Sequence, residues 1–157
     1  MAHALLWTSV AAGEEETQAL ATALAKACGR GDCILLQGDL GVGKTTFARG
    51  FIHALGEKDE EVVSPTFTLV QTYPTKEGWP VWHFDLYRLK RREELDQLGL
   101  EEALATGVTL IEWPDLAEGK IPSQALTVRI AYGSDKRTRE VALLGDAVWK
   151  ERLKRLP

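Results

Sequence analysis

The sequence predicts an α/β domain with a mixed parallel and antiparallel sheet flanked by helices, and three patterns predict it. An apolar run, Cys33–Leu36, passes through a glycine-rich turn into a helical stretch, Lys44–Leu55. Segments rich in β-branched and aromatic residues then pair around short polar loops, the mark of hairpins. Helical stretches separate these strands, so part of the sheet is reached by crossover connections.

The elements follow in order. Glu14–Cys28 sets Leu20, Ala23, Leu24, Ala27 and Cys28 on one helical face, with Glu14, Glu15 and Glu16 favouring the helix start and Gly29 the stop. Cys33–Leu36 reads as a buried strand, and Lys44–Leu55 as a helix stopped by Gly56. Thr66–Tyr73 and Val81–Leu86 read as strands joined in a hairpin, followed by a helical stretch, Arg92–Ala105, interrupted at Gly99. Val108–Trp113 is a further strand closed by Pro114. Leu126–Tyr132 and Arg139–Leu144 form a second hairpin around Gly133-Ser134-Asp135, and Ala147–Leu156 a last short helix.

The 157 residues suit one domain, 1–157, since domains run about 100–150 residues. Nineteen basic against 23 acidic residues give a net charge of −4, which excludes a surface that is basic all over, as a general nucleic-acid binder would need. Cys28 and Cys33 are too few for a disulfide framework and have no companion ligands for a metal, so they read as packing residues in a reducing compartment. The N-terminal residues lack the pattern of a signal peptide, and no apolar run approaches the ~20 residues of a membrane span. The expected location is the cytoplasm.

Gly38-Asp39-Leu40-Gly41-Val42-Gly43-Lys44-Thr45 matches G-x-x-x-x-G-K-[ST] in full. Glycines let successive N–H groups turn inward around a polyphosphate, and the helix that follows adds its positive end. Lys44 then reaches the β- and γ-phosphates, and the Thr45 hydroxyl becomes a Mg²⁺ ligand. Four fixed positions recur by chance in ~0.5% of chains of this length, and here the match also sits between a strand and a helix. ATP and Mg²⁺ are therefore the expected cofactors, in a P-loop NTPase-like domain.

Such a site needs carboxylates beside the phosphates. Glu112 ends the apolar run Val108-Thr109-Leu110-Ile111 in the Walker-B manner, and Asp85 ends Val81-Trp82-His83-Phe84. Either acid can hold Mg²⁺ or orient the attacking water. Ser64-Pro65-Thr66-Phe67 lies where nucleotide switches place a threonine that senses the γ-phosphate; alone, it reads as an ordinary turn. His83 shares a strand face with Asp85 and reads as a packing residue before a site residue. Arg88, Lys90, Arg91 and Arg92 form a basic cluster that fits a solvated helix entry or an RNA- or partner-facing patch. Asp96-Gln97-Leu98-Gly99 matches D-x-x-G, but no N-K-x-D guanine reader accompanies it, so GTP is unsupported.

Four blocks in this order carry a closer likeness: Gly38–Thr46, Ser64-Pro65-Thr66-Phe67-Thr68-Leu69-Val70, His83-Phe84-Asp85-Leu86-Tyr87-Arg88-Leu89 and Ile111-Glu112-Trp113-Pro114. Over roughly residues 14–132 the chain resembles the TsaE (YjeE) family, small bacterial ATPases of tRNA threonylcarbamoyladenosine synthesis; the match fades after Tyr132. The resemblance implies a Mg-dependent ATPase that associates with TsaB and TsaD. Those partners transfer the threonylcarbamoyl group, contact with tRNA is indirect, and ATP hydrolysis supports repeated turnover. It further implies that Asp39, Leu40, Gly41, Val42, Gly43, Lys44, Thr45 and Thr46 hold the nucleotide, and that Thr45 and Glu112 are the Mg²⁺ side. Lys44, Asp85 and Glu112 are then the catalytic set. Trp113 lies at the site or on the partner surface, and Thr17 near the nucleotide base. The readings that compete with a partner-dependent ATPase are a small-metabolite kinase, with 88–92 as its basic lid, and an ATP-dependent binding module.

Overall fold

In the computed structural model, which describes residues 3–56, 61–65 and 68–156, the chain order is strand, helix, strand, helix, then a mostly β second half. The elements are β1 (Ala4–Ala11), α1 (Glu14–Lys26), β2 (Cys33–Gln37), α2 (Lys44–Leu55), β3 (Val70–Tyr73), β4 (Val81–Asp85), α3 (Glu94–Leu98), α4 (Leu100–Thr106), β5 (Val108–Glu112), β6 (Leu126–Tyr132), β7 (Arg139–Gly145) and α5 (Ala147–Arg152). Short 3-10 turns cover Pro114–Ala117 and Leu153–Arg155.

One seven-stranded sheet has the order β1-β7-β6-β2-β5-β4-β3. Its centre is parallel, with β2 between β5 and β6 and β4 beyond β5. Its margins are antiparallel, through β3 on β4 and through β7 on β6 and β1. The predicted mixed sheet is therefore observed. The period-two alternation of β2 explains its layers. Ile34 and Leu36 join one buried cluster with Phe47, Phe51 and Ile52 of α2 and Leu24 of α1. Cys33 and Leu35 face the other, with Phe84, Ile111, Leu95, Leu100 and Ala103. Both faces are covered, as a parallel centre requires.

The structure also corrects some boundaries. The strand expected over Thr66–Tyr73 begins at Val70, because Leu69 takes a left-handed turn (φ 68°) and its N–H donates to the Pro65 carbonyl at 2.7 Å. Thr66 and Phe67 lie outside the described residues. The interruption expected at Gly99 within Arg92–Ala105 is observed, with Gly99 (φ 87°) dividing α3 from α4, although the first helix starts at Glu94 rather than Arg92. β1 was not expected at all. It sits at the sheet edge, half exposed and bulged between Leu5 and Trp7, so its hydrophobic alternation is weak. The last helix tightens to a 3-10 turn after Arg152, and its start is capped by the Asp146 carboxylate, which accepts from the N–H groups of Val148 (3.1 Å) and Trp149 (3.2 Å).

Candidate functional site

The parallel strands β2, β4, β5 and β6 all end on one edge of the sheet, which brings Gln37, Asp85, Glu112 and Tyr132 to that edge. Ligands of open α/β sheets bind at the carboxyl ends of the strands. The motif turn begins there. Gly38 takes φ 155°, and a Cβ at this position would collide with the Ile130 carbonyl of β6 and lie 2.7 Å from Val42 Cγ1. Gly41 (φ 79°) and Gly43 (φ 119°) supply the other turns that an L side chain resists. Val42 packs its side chain into the core, and its N–H donates to the Asp39 carbonyl at 3.1 Å. Among the described residues, the N–H groups of Gly41 and Gly43 donate to no protein acceptor. Asp39 and Leu40 are exposed at the tip.

Lys44 opens α2 and turns back over this loop. Its Nζ donates to the carbonyls of Gly38 and Asp39 (3.3 Å to the latter) and stands 3.7 Å from the centre of the Trp113 ring. Burial holds the ammonium below the usual lysine range, against the opposing pull of the Glu112, Asp85 and Asp39 carboxylates. Trp113 itself is set by a left-handed backbone (φ 56°, ψ 60°) directly after β5, and its ring lies 4.8 Å from that of Tyr87.

One residue further along α2, the Thr45 hydroxyl lies 3.2 Å from each oxygen of Glu112. Glu112 is 2% exposed and also accepts from His83 Nε2, 2.7 Å away. The His83 ring is fully buried, and its Nδ1 has no partner among the described residues. His83 does pack, as its sequence context suggests, but it packs onto the acid of the site. Asp85 pairs with Glu112 in the sheet register and is 5% exposed; its Oδ1 accepts the Tyr87 N–H at 3.1 Å. Lys44, Thr45, Asp85, Glu112 and Trp113, five of the residues singled out from the sequence, are thus gathered at the strand ends.

On the opposite flank of the turn is a cleft of 620 Å³, lined by Gly41, Val42, Gly43, Thr46, Thr17 and the segment Ala12–Glu16. Thr17 is 2% exposed, and its hydroxyl donates to the Gly13 carbonyl at 3.2 Å. Lys136 and Arg137, from the tip of the β6–β7 hairpin, and Arg139, at the start of β7, also line this cleft. The sequence reading placed no role after Tyr132; basic residues clustered at the hairpin tip and the strand start beyond it were the available signal. Ser64 is exposed, and Thr66 lies outside the described residues. The basic cluster stays at the surface, with Arg88, Lys90, Arg91 and Arg92 all exposed and Arg92 donating to the Glu118 carbonyl. Among the described residues no helix is long and apolar enough to cross a membrane.

Three comparisons bear on this geometry. The model of the family "Threonylcarbamoyl adenosine biosynthesis protein TsaE" matches residues 11–141, so the likeness extends nine residues beyond Tyr132. The tRNA threonylcarbamoyladenosine biosynthesis protein TsaE of Rickettsia bellii is 43% identical over 124 residues, covering 79% of this chain and 85% of its own. The protein of that name from Bacillus subtilis is 39% identical over 145 residues, covering 90% and 87%. The crystal structure of Bacillus subtilis YdiB superposes with a TM-score of 0.74 at 30% identity, over 98% of this chain and 93% of that one. The chain belongs to the TsaE family, whose role is in tRNA threonylcarbamoyladenosine biosynthesis.

Proposed function

We propose that this protein binds ATP with Mg²⁺ on the turn Gly38–Thr45 and hydrolyses it in support of the tRNA modification, in association with TsaB and TsaD. One observation carries the reading: the Thr45 hydroxyl and the Glu112 carboxylate meet at 3.2 Å beside Lys44, at the mouth of a glycine turn where the Gly41 and Gly43 N–H groups donate to no protein acceptor among the described residues. The donor set fits the ion. Mg²⁺ favours hard oxygen ligands and is usually held by one or two carboxylates plus the phosphates of its nucleotide. Bound there, Mg²⁺ would neutralise charge developing on the phosphate oxygens.

The protein's own groups take the remaining tasks. Gly41 and Gly43 offer N–H donors to phosphate oxygens, and Lys44 exchanges the Gly38 and Asp39 carbonyls for the phosphate chain. Asp85 lies one strand away from Glu112 and is the second carboxylate available to orient water. Thr17, Thr46, Arg137 and Lys136 line the cleft that would take the nucleoside end. The test is steady-state ATP hydrolysis by the full chain, alone and with TsaB and TsaD. Stimulation by the partners that disappears in Lys44→Ala is the expected result. No ATP binding, and no effect on threonylcarbamoyl transfer over many turnovers, would overturn the proposal.

A further inference from the structure

The β6–β7 hairpin touches the glycine turn at two backbone atoms. The Tyr132 hydroxyl, at the end of β6, donates to the Leu40 carbonyl at 3.2 Å. Arg139, at the start of β7, donates from Nε to the Val42 carbonyl at 2.7 Å. Tyr132 and Arg139 are partners in the strand register, and the guanidinium stands 4.7 Å from the centre of the tyrosine ring. Its Nη1 also holds the hairpin tip, donating to the carbonyls of Lys136 (2.7 Å) and Thr138 (3.0 Å). The two side chains therefore form one braced unit that meets alternate peptides of the turn.

A trans peptide is planar, and its C=O and N–H point in opposite directions. The chain has no cis peptides among the described residues. Pinning the Leu40 carbonyl to the hairpin therefore turns the Gly41 N–H away from it, and pinning the Val42 carbonyl does the same for Gly43. Among the described residues neither of these N–H groups donates to a protein atom, whereas the Val42 N–H between them is spent on Asp39. Left unpinned, glycine peptides rotate readily, and each free rotation would have to be stopped when an anion binds.

We infer that Tyr132 and Arg139 are positioning residues that pre-set the Gly41 and Gly43 amides for an anionic ligand. This rests on the reading that the turn takes the phosphates of ATP, but the pre-setting itself belongs to the protein without ligand. Arg139 thereby acts through the Val42 peptide, although its side chain also borders the cleft.

The experiment follows the backbone amide resonances of Gly41 and Gly43 in ¹⁵N-labelled full-length protein without nucleotide, together with the affinity for ATP. Tyr132→Phe removes only the hydroxyl and should shift or broaden the Gly41 resonance most; Arg139→Met should do so for Gly43. Tyr132→Phe should weaken ATP about threefold to tenfold, the loss of one neutral hydrogen bond; Arg139→Met, which removes a charged donor, should weaken it by about tenfold or more, and Arg139→Lys should recover part of that. Because Arg139 also braces the hairpin tip, Tyr132→Phe is the deciding variant, as it leaves the tip bonds in place. Resonances of Gly41 and Gly43 that stay unchanged in both variants overturn the inference. Should the unmodified protein bind no ATP, the proposed function falls while the amide resonances still decide this point.

Discussion

His83 Nε2 lies 2.7 Å from Glu112 Oε2 inside the sheet, with the histidine fully buried. The carboxylate is thus gripped from two sides, by His83 from β4 and by the Thr45 hydroxyl from α2. A buried acceptor that loses its donor bears the desolvation cost. His83→Ala should therefore lower stability by about 1–3 kcal/mol, read by urea unfolding. It should also raise the Mg²⁺ concentration needed for half-maximal hydrolysis, since Glu112 would no longer be held. His83→Gln, which keeps a donor, should restore much of both; an unaltered Mg²⁺ titration in the alanine variant would count against the role of the pair.

Lys44→Ala removes the cation that faces the turn, and hydrolysis should fall about 100-fold or more, the scale seen when one electrostatic donor is lost. Glu112 asks for a gentler change, because alanine would also strand His83 in the core. Glu112→Gln keeps the shape and should suppress Mg²⁺-dependent hydrolysis while moving the unfolding midpoint little. Normal turnover in that variant would remove Glu112 from the site.

Arg152 joins the C-terminal helix to the rest of the molecule. Its guanidinium is bidentate to Asp32, with Nη1 2.9 Å from Oδ1, donates from Nε to the Ala27 carbonyl at 3.1 Å, and lies 4.0 Å from the centre of the Trp149 ring. Arg152→Ala should cost about 1.5–3 kcal/mol, the range for hydrogen bonds to charged groups. Arg152→Lys should restore little, since a lysine cannot reproduce the planar fork. Chemical denaturation of the three proteins checks this directly.

The cysteines give a pH dependence. Burial, reinforced by Asp32, pushes the Cys33 thiol from its ordinary value of 9.0 up to about 12, and Cys28 is raised further. A folded-state pKa above the unfolded one means that the native protein keeps its proton longer. The resulting stability is complete below pH 9 and drains away as the pH climbs toward the folded values. Wild type should lose stability between pH 9 and 12 more steeply than Cys28→Ala/Cys33→Ala, as measured by thermal unfolding across that range. Neither thiol should react with an alkylating reagent at pH 8 while the protein is folded.

The central part of this structure was legible because the physics is local. Lys44–Leu55 is observed with the expected boundaries, since a glycine turn starts that helix and Gly56 stops it. The strand ends Asp85 and Glu112 were found because an apolar run closed by an acid is visible in one dimension. What escaped depends on partners far along the chain. β1 owes its state to pairing with β7, which a weakly alternating stretch does not announce. Tyr132 and Arg139 look like ordinary hairpin residues until the sheet order carries them beside the turn. His83 was read by its apolar neighbours, Trp82 and Phe84, whereas its carboxylate partner comes from another strand.

The edge pairing of β1 has a consequence for how the molecule is made. Ala4 faces Gly145 and Ala11 faces Arg139, so a strand made before the glycine motif bonds to one made well after it. Until β7 emerges, that strand has no ladder to join, and its exposed backbone is open to any other extended segment. The residue that closes the register, Arg139, is also the one that grips the Val42 carbonyl. Assembly of the glycine turn therefore waits for β7, and a nascent chain cut short before that strand would carry the whole glycine motif without the hairpin that braces it.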